Sequence, residues 1–461
     1  MAETVNLNPD KVYVGGINKL KEWPQDPASK VRALLKNYLE LDNVSFLFGA
    51  GSSINLGSIS IAGIPPQIVT AIANTLIATD EKKEGEDGIL FQEFKKIIGY
   101  LQPDEKVEKD KWVSYPVESL LDYLTALSFV SSKNPDMLDF KNIEELIRVI
   151  KKALFELCDL DTLPLSNKIS EDVKNILSKN RYHFHERFVK KILQRPLNLR
   201  RVNLFTTNYD LAFEYAFDNL GVKYLDGFSG FNKRTFKPES FDYDIFYPGS
   251  TTQGKVHRIE KVLKYYKLHG SLTWISEKPE PQNIYGIKEY PIDYIRSKKG
   301  IDDGIFGGLM IYPSATKKTY TLEYPYSELF RQFANAIVQQ QSVLITYGYS
   351  FADEHINDII YQSLSIPSFT LILIDYFGAG ANDKPNENIR KLLELDDPRI
   401  IIIQGENYGD FPFFVQNLLP DLVEIDNEIK LSATLKQLYE DNKGAIDNNN
   451  QSPDPVNPII P

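Results

Sequence analysis

The chain has very little cysteine, since Cys158 is the only one among its 461 residues. A single thiol excludes an intramolecular disulfide and any zinc site built from several cysteines. Long apolar runs are also lacking, and none approaches the length of a membrane span. Residues 1–15 lack a basic segment followed by an apolar one, so no secretory signal is expected. These absences predict a cytoplasmic protein without a membrane anchor.

An excess of basic residues is lacking as well. The chain has 52 Lys and Arg against 63 Asp and Glu, for a formal net charge of −11. Broad, sequence-independent binding to nucleic acid needs a basic face, so that function is not expected, although a local basic groove stays open. Histidine is scarce too, with five in all. His183 and His185 are two apart in a predicted helix and face different directions, so no metal site is expected.

What the chain does contain is a series of short apolar runs that are typical of buried strands. Val343–Ile345, for example, is apolar on both faces, as in strands that helices cover on each side. Helical segments such as 327–340 and 388–395 lie between the runs. The pattern predicts a doubly wound, Rossmann-like parallel sheet of about six strands. The strand candidates are Val44–Phe48, Val202–Phe205, Tyr265–Leu268, Leu309–Tyr312, Ser342–Tyr347, Phe369–Asp375 and Arg399–Ile403.

The strand signal is interrupted by a long block in which helical periodicity and charge dominate. Its clearest helix starts after Asn142, with Glu145 three residues on, which predicts a capping box. The predicted organisation is an N-terminal extension (1–40), a sheet domain (41–79 and 200–425), a helical insertion (80–199), a C-terminal helix (426–441) and a disordered tail (442–461) rich in Asn and Pro.

Three short islands follow the strand candidates: Phe48–Ser53, Thr206–Asp210 and Lys267–Ser271. The carboxyl ends of parallel strands meet at one edge of a sheet, where open α/β sheets bind ligands. A glycine turn, an asparagine and a histidine are therefore expected to share one crevice.

Each island has a chemical reading and a plainer structural one. Gly49 and Gly51 can open a turn whose backbone N–H groups approach a phosphate. Asn208 can hold a ribose or a water molecule, or it can instead cap a helix that starts at Tyr209. His269 can accept a proton near neutral pH, or it can be held structurally at the end of its strand.

Together and in this order, the islands resemble the sirtuin family, which cleaves the nicotinamide–ribose bond of NAD⁺. The Gly49-Ala50-Gly51-x-Ser53 turn, Gly63-Ile64-Pro65, Thr206-Thr207-Asn208-Tyr209-Asp210 and His269-Gly270 carry the resemblance. It implies that Asn208 and His269 are catalytic, and that Asp210 orients the Asn208 amide or accepts from the nicotinamide carboxamide. Ser350 could also cap a helix, and Asp375 could be a solvated strand end. The NAD⁺-binding residues implied by the resemblance are Gly49, Ala50, Gly51, Ser52, Ser53, Thr207, Asp210, Gly348, Ser350 and Asp375.

The chain also departs from the deacylating members of that family. It cannot build their four-cysteine zinc module, and Pro66-Gln67-Ile68 replaces their Asp-Phe-Arg. These departures favour water over acyl-lysine as the acceptor. Residues 325–333 and 347–357 resemble the sirtuin-like NADases of bacterial anti-phage systems.

That resemblance implies an NAD⁺ glycohydrolase that acts in abortive infection. It also implies a homo-oligomer and a HerA-type hexameric ATPase as a partner that controls activity. Two alternatives stay open at this point. One is a zinc-free deacylase, and the other is a non-catalytic subunit that binds NAD⁺ or ADP-ribose within an assembly.

Overall fold

A computed structural model describes residues 9–59, 64–74, 88–101, 117–133, 142–248, 256–297, 325–377 and 386–422. The fold below belongs to a compact unit that spans Met1–Pro420. Of a second unit, Asp421–Pro461, only residues 421 and 422 are described. Gly63, the strand predicted over 309–312, the helix predicted over 426–441 and the predicted tail (442–461) lie outside the described residues.

The strands are distributed along the whole of the described chain. In order they are β1 (Lys11–Val14), β2 (Ile17–Asn18), β3 (Asn43–Phe48), β4 (Asn203–Thr206), β5 (Lys223–Leu225), β6 (Phe228–Ser229), β7 (Arg234–Phe236), β8 (Phe246–Pro248), β9 (Val256–Arg258), β10 (Val262–Lys267), β11 (Trp274–Ser276), β12 (Ile287–Glu289), β13 (Ser342–Tyr347), β14 (Thr370–Asp375) and β15 (Ile400–Gln404).

Nine of the described strands form one sheet in the order β2-β1-β15-β14-β13-β3-β4-β10-β5. The seven strands from β15 to β5 are parallel, which confirms the predicted doubly wound sheet. Three short strands extend it beyond the prediction: β5 pairs parallel with β10, and β1 pairs antiparallel with both β15 and β2. Four others, β11, β12, β7 and β6, form a small antiparallel sheet.

The described helices are distributed less evenly than the strands, and six of them lie between β3 and β4. In order, the helices are α1 (Pro27–Leu39), α2 (Ile64–Asn74), α3 (Ile89–Leu101), α4 (Val117–Lys133), α5 (Ile143–Cys158), α6 (Glu171–Lys179), α7 (His183–Ile192), α8 (Ala212–Leu220), α9 (Ile292–Arg296), α10 (Tyr326–Ile337), α11 (Glu354–Ser363), α12 (Glu387–Glu394) and α13 (Phe411–Phe413), which continues as a π-helix over Phe414–Leu418.

Helices cover both faces of the parallel sheet. On one face, Leu47 of β3 belongs to the same buried cluster as Leu329 and Phe333 of α10. On the other face, the Phe48 ring packs 5.0 Å from that of Phe188 in α7 and 4.7 Å from that of Phe213 in α8, measured between centroids. Burial on both faces explains why the central strands are continuously apolar rather than alternating.

Helices α2 to α7 lie between β3 and β4 in the chain, and the first four of them, α2 to α5, build most of a second apolar cluster. Helix α5 begins at Ile143, as predicted from its apolar stripe, but the predicted capping box is wrong. The Asn142 side chain makes no capping bond, and the Asn142 N–H donates instead to Glu93 Oε2 of α3, at 2.9 Å. Glu145 accepts from Arg148 Nε at 2.8 Å. Glu93, a residue of another helix, therefore accepts the Asn142 N–H that the local pattern assigned to Glu145.

Candidate active site

The three islands lie at the carboxyl ends of adjacent strands. Phe48, at the end of β3, is in register with Thr206 of β4 and with Tyr347 of β13. Thr206 is in turn in register with Lys267, the last residue of β10. The chain segments that leave these four strands therefore start side by side at one edge, as the sequence predicted.

The glycine turn packs directly on a second turn, the one after β13. Gly348 has a φ of +57°, and a Cβ on it would lie 2.5 Å from Gly51 Cα. A Cβ on Gly51 would likewise lie 2.5 Å from Gly348 Cα. Two backbones that approach this closely leave no room for side chains, so both positions require glycine.

Four N–H groups of the glycine turn donate to carbonyls within the protein in this conformation. Gly51 N–H donates to the Gly348 carbonyl at 3.1 Å, and Gly49 N–H to the Tyr347 carbonyl at 2.9 Å. The N–H groups of Ser52 and Ser53 donate back into the turn itself, which forms a 3₁₀ helix over Ala50–Ser52. The glycines thus serve close backbone packing here, beside the phosphate role that the sequence suggested.

Asn208 is connected to the glycine turn through side chains. Its Nδ2 donates to Ser52 Oγ at 3.2 Å and to Ser53 Oγ at 3.3 Å. Ser53 Oγ donates in turn to Asp210 Oδ2 at 2.8 Å. Burial raises the pKa of the Asp210 carboxyl above its usual range. Residues that are 155 to 157 positions apart in the chain therefore form one polar network.

The structural alternative for Asn208, a helix cap, is wrong. Helix α8 begins at Ala212 rather than at Tyr209, and Asp210 Oδ1 accepts from the Ala212 N–H at 3.1 Å. The Asn208 backbone N–H donates to Thr206 Oγ1 at 3.0 Å. Thr207 is tied to the end of β3, because its N–H donates to the Phe48 carbonyl at 2.9 Å. The loop is therefore held at both ends, and the Asn208 amide is directed to the serines of the turn.

His269 is buried beside a carboxylate from another part of the chain. It is 6% exposed, and its Nε2 lies 2.9 Å from Asp353 Oδ2. Asp353 is also the N-cap of α11, since its Oδ1 accepts from the N–H groups of His355 and Ile356. When Nε2 carries the proton and donates to Asp353, Nδ1 keeps the lone pair that can accept a proton.

Asp353 is a residue that the sequence reasoning did not assign to the site. The only signal for it was its position as a capping partner three residues after Ser350. That interpretation of Ser350 is wrong, because Asp353 itself is the N-cap. Ser350 is exposed, and its carbonyl accepts from Asn386 Nδ2.

Lys267 was also missed, although it stands in the third island. Its side chain is 3% exposed, and Nζ donates to the Tyr209 carbonyl at 3.2 Å, to the Asp210 carbonyl and to Glu214 Oε1 at 2.8 Å. Burial raises the pKa of the Glu214 carboxyl above its usual range. Lys267 thus fixes the backbone of the two residues that follow Asn208.

Behind Lys267 lies a small polar cavity of about 10 Å³, which is room for roughly one water molecule. Glu214, Asp226 and Glu289 contribute carboxylates to its wall. Arg234 pairs with two of them, Asp226 and Glu289, the latter at 2.7 Å. Burial raises the pKa of Glu289 to about 7. The loop with Asn208 therefore rests on a buried layer of ion pairs.

Asp375 lies at the margin of the site. It ends β14, which is separated from β3 by β13. It is half-buried, and its Oδ2 accepts from the Phe377 N–H at 2.9 Å. The structure thus brings the Gly49–Ser53 turn, Asn208, Asp210 and Gly348 together, with Asp375 farther along the same edge. The NAD⁺-binding and catalytic roles of all these residues stay predictions.

The described ranges contain no group of three or more His, Cys, Asp or Glu side chains arranged to hold a metal ion. Cys158 is half-buried at the end of α5, and burial raises the pKa of its thiol to about 12. None of the described helices is long and apolar enough to cross a membrane.

Comparison with known proteins locates a family signal over part of this fold. Residues 202–400 match the family described as SIR2-like domain. The matched segment runs from just before β4 to the first residue of β15, so it includes Asn208, His269 and Asp353, whereas the glycine turn precedes it. No curated protein matches the sequence. The match supports a similarity of this segment to sirtuin-like proteins, whose SIR2-like domains use NAD⁺.

Proposed function

We propose that this protein is an NAD⁺ glycohydrolase, which converts NAD⁺ and water to ADP-ribose, nicotinamide and a proton. The observation that supports this most directly is the network that joins the Asn208 amide to Ser52 and Ser53 of the glycine turn. A group that would position the ribose is thereby coupled to the turn that would hold the adjoining phosphates. His269, with its Asp353 partner, stands at the end of the next strand.

The chemistry demands little beyond positioning. The bond from the ribose C1′ to the nicotinamide nitrogen breaks, and its electron pair leaves with nicotinamide, which becomes neutral. A water oxygen bonds to C1′ and gives up a proton, for which His269 Nδ1 is the acceptor that we propose. Asn208 would hold the water or the ribose hydroxyls in line with the breaking bond. Cleavage at a sugar carbon of this type passes through an oxocarbenium-like transition state.

Binding at the glycine turn would require a local change. Gly51 N–H, which now donates to the Gly348 carbonyl, would have to exchange that partner for a phosphate oxygen. Both residues are glycines, so no side chain of theirs obstructs this exchange. This exchange would give Gly348 a part in phosphate binding besides its packing against Gly51.

Water is the acceptor that the chain favours. Pro66, Gln67 and Ile68, which stand where deacylating relatives would have Asp-Phe-Arg, lie in the first two turns of α2. Ile68 is buried in the apolar cluster of the helices between β3 and β4. A side chain that packs there does not shape an acyl-lysine channel as an arginine would.

We further propose that the enzyme acts in bacterial anti-phage defence, as a homo-oligomer whose activity is controlled by a HerA-type ATPase. The support is the resemblance of residues 325–333 and 347–357 to that group of NADases. Co-expression of the two genes during phage challenge tests this part. Equal phage titres with wild-type protein and with the Asn208→Ala variant would contradict it.

The catalytic proposal is tested by incubating purified protein with NAD⁺, with and without its genomic neighbour, and by separating the products chromatographically. We expect ADP-ribose and nicotinamide from the wild type and none from Asn208→Ala or His269→Ala. Asn219→Ala and His183→Ala remove an amide and an imidazole from α8 and α7, outside the three islands, and should leave turnover intact.

Two results would replace this proposal by its alternatives. Binding of ADP-ribose with intact NAD⁺ under every condition would favour a non-catalytic binding subunit. Formation of acyl-ADP-ribose from an acyl-lysine peptide, in preference to ADP-ribose, would favour a zinc-free deacylase.

A further inference from the structure

A second cavity lies at the amino-terminal edge of the sheet, opposite the edge that carries Asn208 and His269. Its wall includes Asn43 and Asn203, the first residues of β3 and β4. Lys264 of β10, which is in register with Asn203, lies beside them. Strand β3 is six residues long, so about 20 Å separate the two edges. The cavity, called the amino-edge groove below, is therefore not an extension of the candidate active site.

The amino-edge groove is basic in an acidic protein. Five cationic side chains line it against two carboxylates, those of Asp242 and Asp244. One of the five, Arg331, is already paired with Glu328 at 2.6 Å, which leaves a local excess of two positive charges. The chain as a whole has a formal charge of −11. An anion is the ligand that this local field attracts. The cations are Arg200, Arg201, Arg258, Lys264 and Arg331.

Two of these cations are fixed in place. The Asp244 carboxylate forms salt bridges with both Arg201 and Arg258, with nitrogen–oxygen distances of 3.0 and 2.8 Å. Arg258 Nη1 also donates to the carbonyls of Leu197 and Leu199, at 2.8 and 2.7 Å. One carboxylate therefore serves two guanidinium groups, and these form a rigid, positively charged wall.

The other two cations have no such partner. Lys264 is half-buried and Arg200 is exposed, and neither side chain makes a hydrogen bond or an ion pair with another residue that the structure describes. Burial lowers the pKa of the Lys264 ammonium; the carboxylates of Asp242 and Asp244 oppose that shift, and the nearby Arg200 and Arg258 add to it. A half-buried ammonium of this kind is costly, and an anionic ligand would offset the cost.

Size and the remaining lining groups narrow the class of anion. The groove has a volume of about 450 Å³, which falls within the roughly 300–1,000 Å³ of small-molecule sites and far exceeds a lone phosphate. Asn335 and Gln339 line it with side-chain amides, which have both donor and acceptor atoms and suit the edge of a base. The Tyr243 ring is 56% exposed and offers a stacking surface.

We propose that the amino-edge groove binds a nucleotide. Lys264 and Arg200 bind its phosphates, and the amides of Asn335 and Gln339 with the Tyr243 ring bind its base. The fixed pair Arg201 and Arg258 maintains the positive field of the site. This proposal does not depend on the NAD⁺ glycohydrolase proposal, because none of these residues lies at the carboxyl edge.

The test is calorimetric titration of the full chain with ADP, and with adenosine as the probe that lacks phosphate. We expect saturable ADP binding, and binding of adenosine that is weaker by about tenfold or more, as for loss of one charged hydrogen bond. Lys264→Met and Arg200→Ala should each weaken ADP binding by about tenfold or more. Arg187→Ala, an exposed arginine on α7, is the matched control and should bind ADP as the wild type does.

Arg200→Ala changes only an exposed side chain, so circular dichroism should show an intact fold even if Lys264→Met is less stable. Three results would overturn the proposal. The first is no saturable ADP binding by the wild type. The second is equal ADP affinity in the wild type and in folded Arg200→Ala, which would place ADP elsewhere on the protein. The third is binding of a single-stranded oligonucleotide, but not of ADP, that is lost in Arg200→Ala, because the groove would then serve a nucleic acid.

Discussion

Replacing Lys267 by methionine tests whether the buried ammonium holds the loop that carries Asn208. In the wild type, Nζ donates to the carbonyls of Tyr209 and Asp210 and to the Glu214 carboxylate. Methionine keeps most of the length of the side chain but removes all three contacts. Glu214 is then left as a buried charge without its cation, and removing one partner of such a pair costs about 3–5 kcal/mol. That is a large share of a total stability of about 5–15 kcal/mol.

The second variant, Lys267→Met/Glu214→Gln, separates the two effects of this change. Glutamine removes the unpaired charge and still accepts a hydrogen bond from the Tyr265 hydroxyl, which donates to Glu214 at 3.0 Å. Most of the lost free energy of unfolding should therefore return. NAD⁺ turnover should stay low in both variants, because the two loop carbonyls still lack their donor.

The pH dependence of the single variant gives a further check. Burial already raises the pKa of Glu214, and Lys267 opposes that shift, so removal of Lys267 raises the pKa further. A carboxyl whose pKa is raised by folding stabilises the native state at low pH and loses that contribution as pH rises. The single variant should therefore be closest to the wild type near pH 5 and least stable near pH 8.

Denaturant unfolding and NAD⁺ turnover, measured on the same preparations, decide this prediction. Lys223→Met, at an exposed position of β5, is the control and should change the free energy of unfolding by less than about 0.5 kcal/mol. A loss of less than about 1 kcal/mol in Lys267→Met would refute the buried-pair argument. Wild-type turnover in the double variant would refute the positioning role.

Three further predictions concern single side chains. His185 is 1% exposed, neither ring nitrogen has a hydrogen-bond partner in the described part of the chain, and burial lowers its pKa to about 3. The unfolded chain binds a proton at His185 below about pH 6.5 and the native ring does not, so the free energy of unfolding of the wild type decreases as pH is lowered. His185→Phe lacks this titration, so its free energy of unfolding relative to the wild type should rise by about 2 kcal/mol from pH 7 to pH 5. An equal difference between variant and wild type at both pH values in denaturant unfolding would contradict this. Asp353→Asn keeps an N-cap for α11 but removes the carboxylate beside His269. NAD⁺ turnover should therefore show a kcat lower by about 10²-fold or more, while the thermal unfolding temperature changes little. An unchanged kcat would mean that Asp353 serves as a helix cap only. Gly348→Ala places a Cβ 2.5 Å from Gly51 Cα at a φ of +57°, and calorimetry should record a loss of at least about 2 kcal/mol, whereas wild-type stability would mean that the two turns separate readily.

Part of the fold was accessible from the sequence because the signal is local. The run Val343–Ile345 is apolar on both faces, and the structure places it in β13 at the centre of the sheet. By contrast, β1 and β2 escaped prediction because they are four and two residues long and lack a continuous apolar pattern. The strands of the small antiparallel sheet are two or three residues long, which is also too short for a periodic pattern.

Local capping signals were less dependable than strand signals. Asn142, Asn208 and Ser350 all had the residue type of a helix cap, yet none caps its helix by a side-chain bond in the structure. Cap residue types are also compatible with loops and with tertiary hydrogen bonds. Glu93, which accepts the Asn142 N–H, is 49 residues away and beyond the reach of a local pattern, whereas Asp353, the actual N-cap, follows Ser350 by three residues.

By itself, the sequence determined the parallel sheet and the edge at which Gly49, Asn208 and His269 would meet. Apolar runs specify buried strands, and residues that follow parallel strands necessarily emerge at one edge. Only the tertiary structure decided the contacts between them, such as Ser53 with Asp210 across 157 residues and His269 with Asp353 across 84. The burial of Lys267 beneath the Asn208 loop and the basic groove at the opposite edge were likewise decided only by the tertiary structure. Such contacts depend on how strands are ordered in the sheet, and no periodicity along the chain encodes that order.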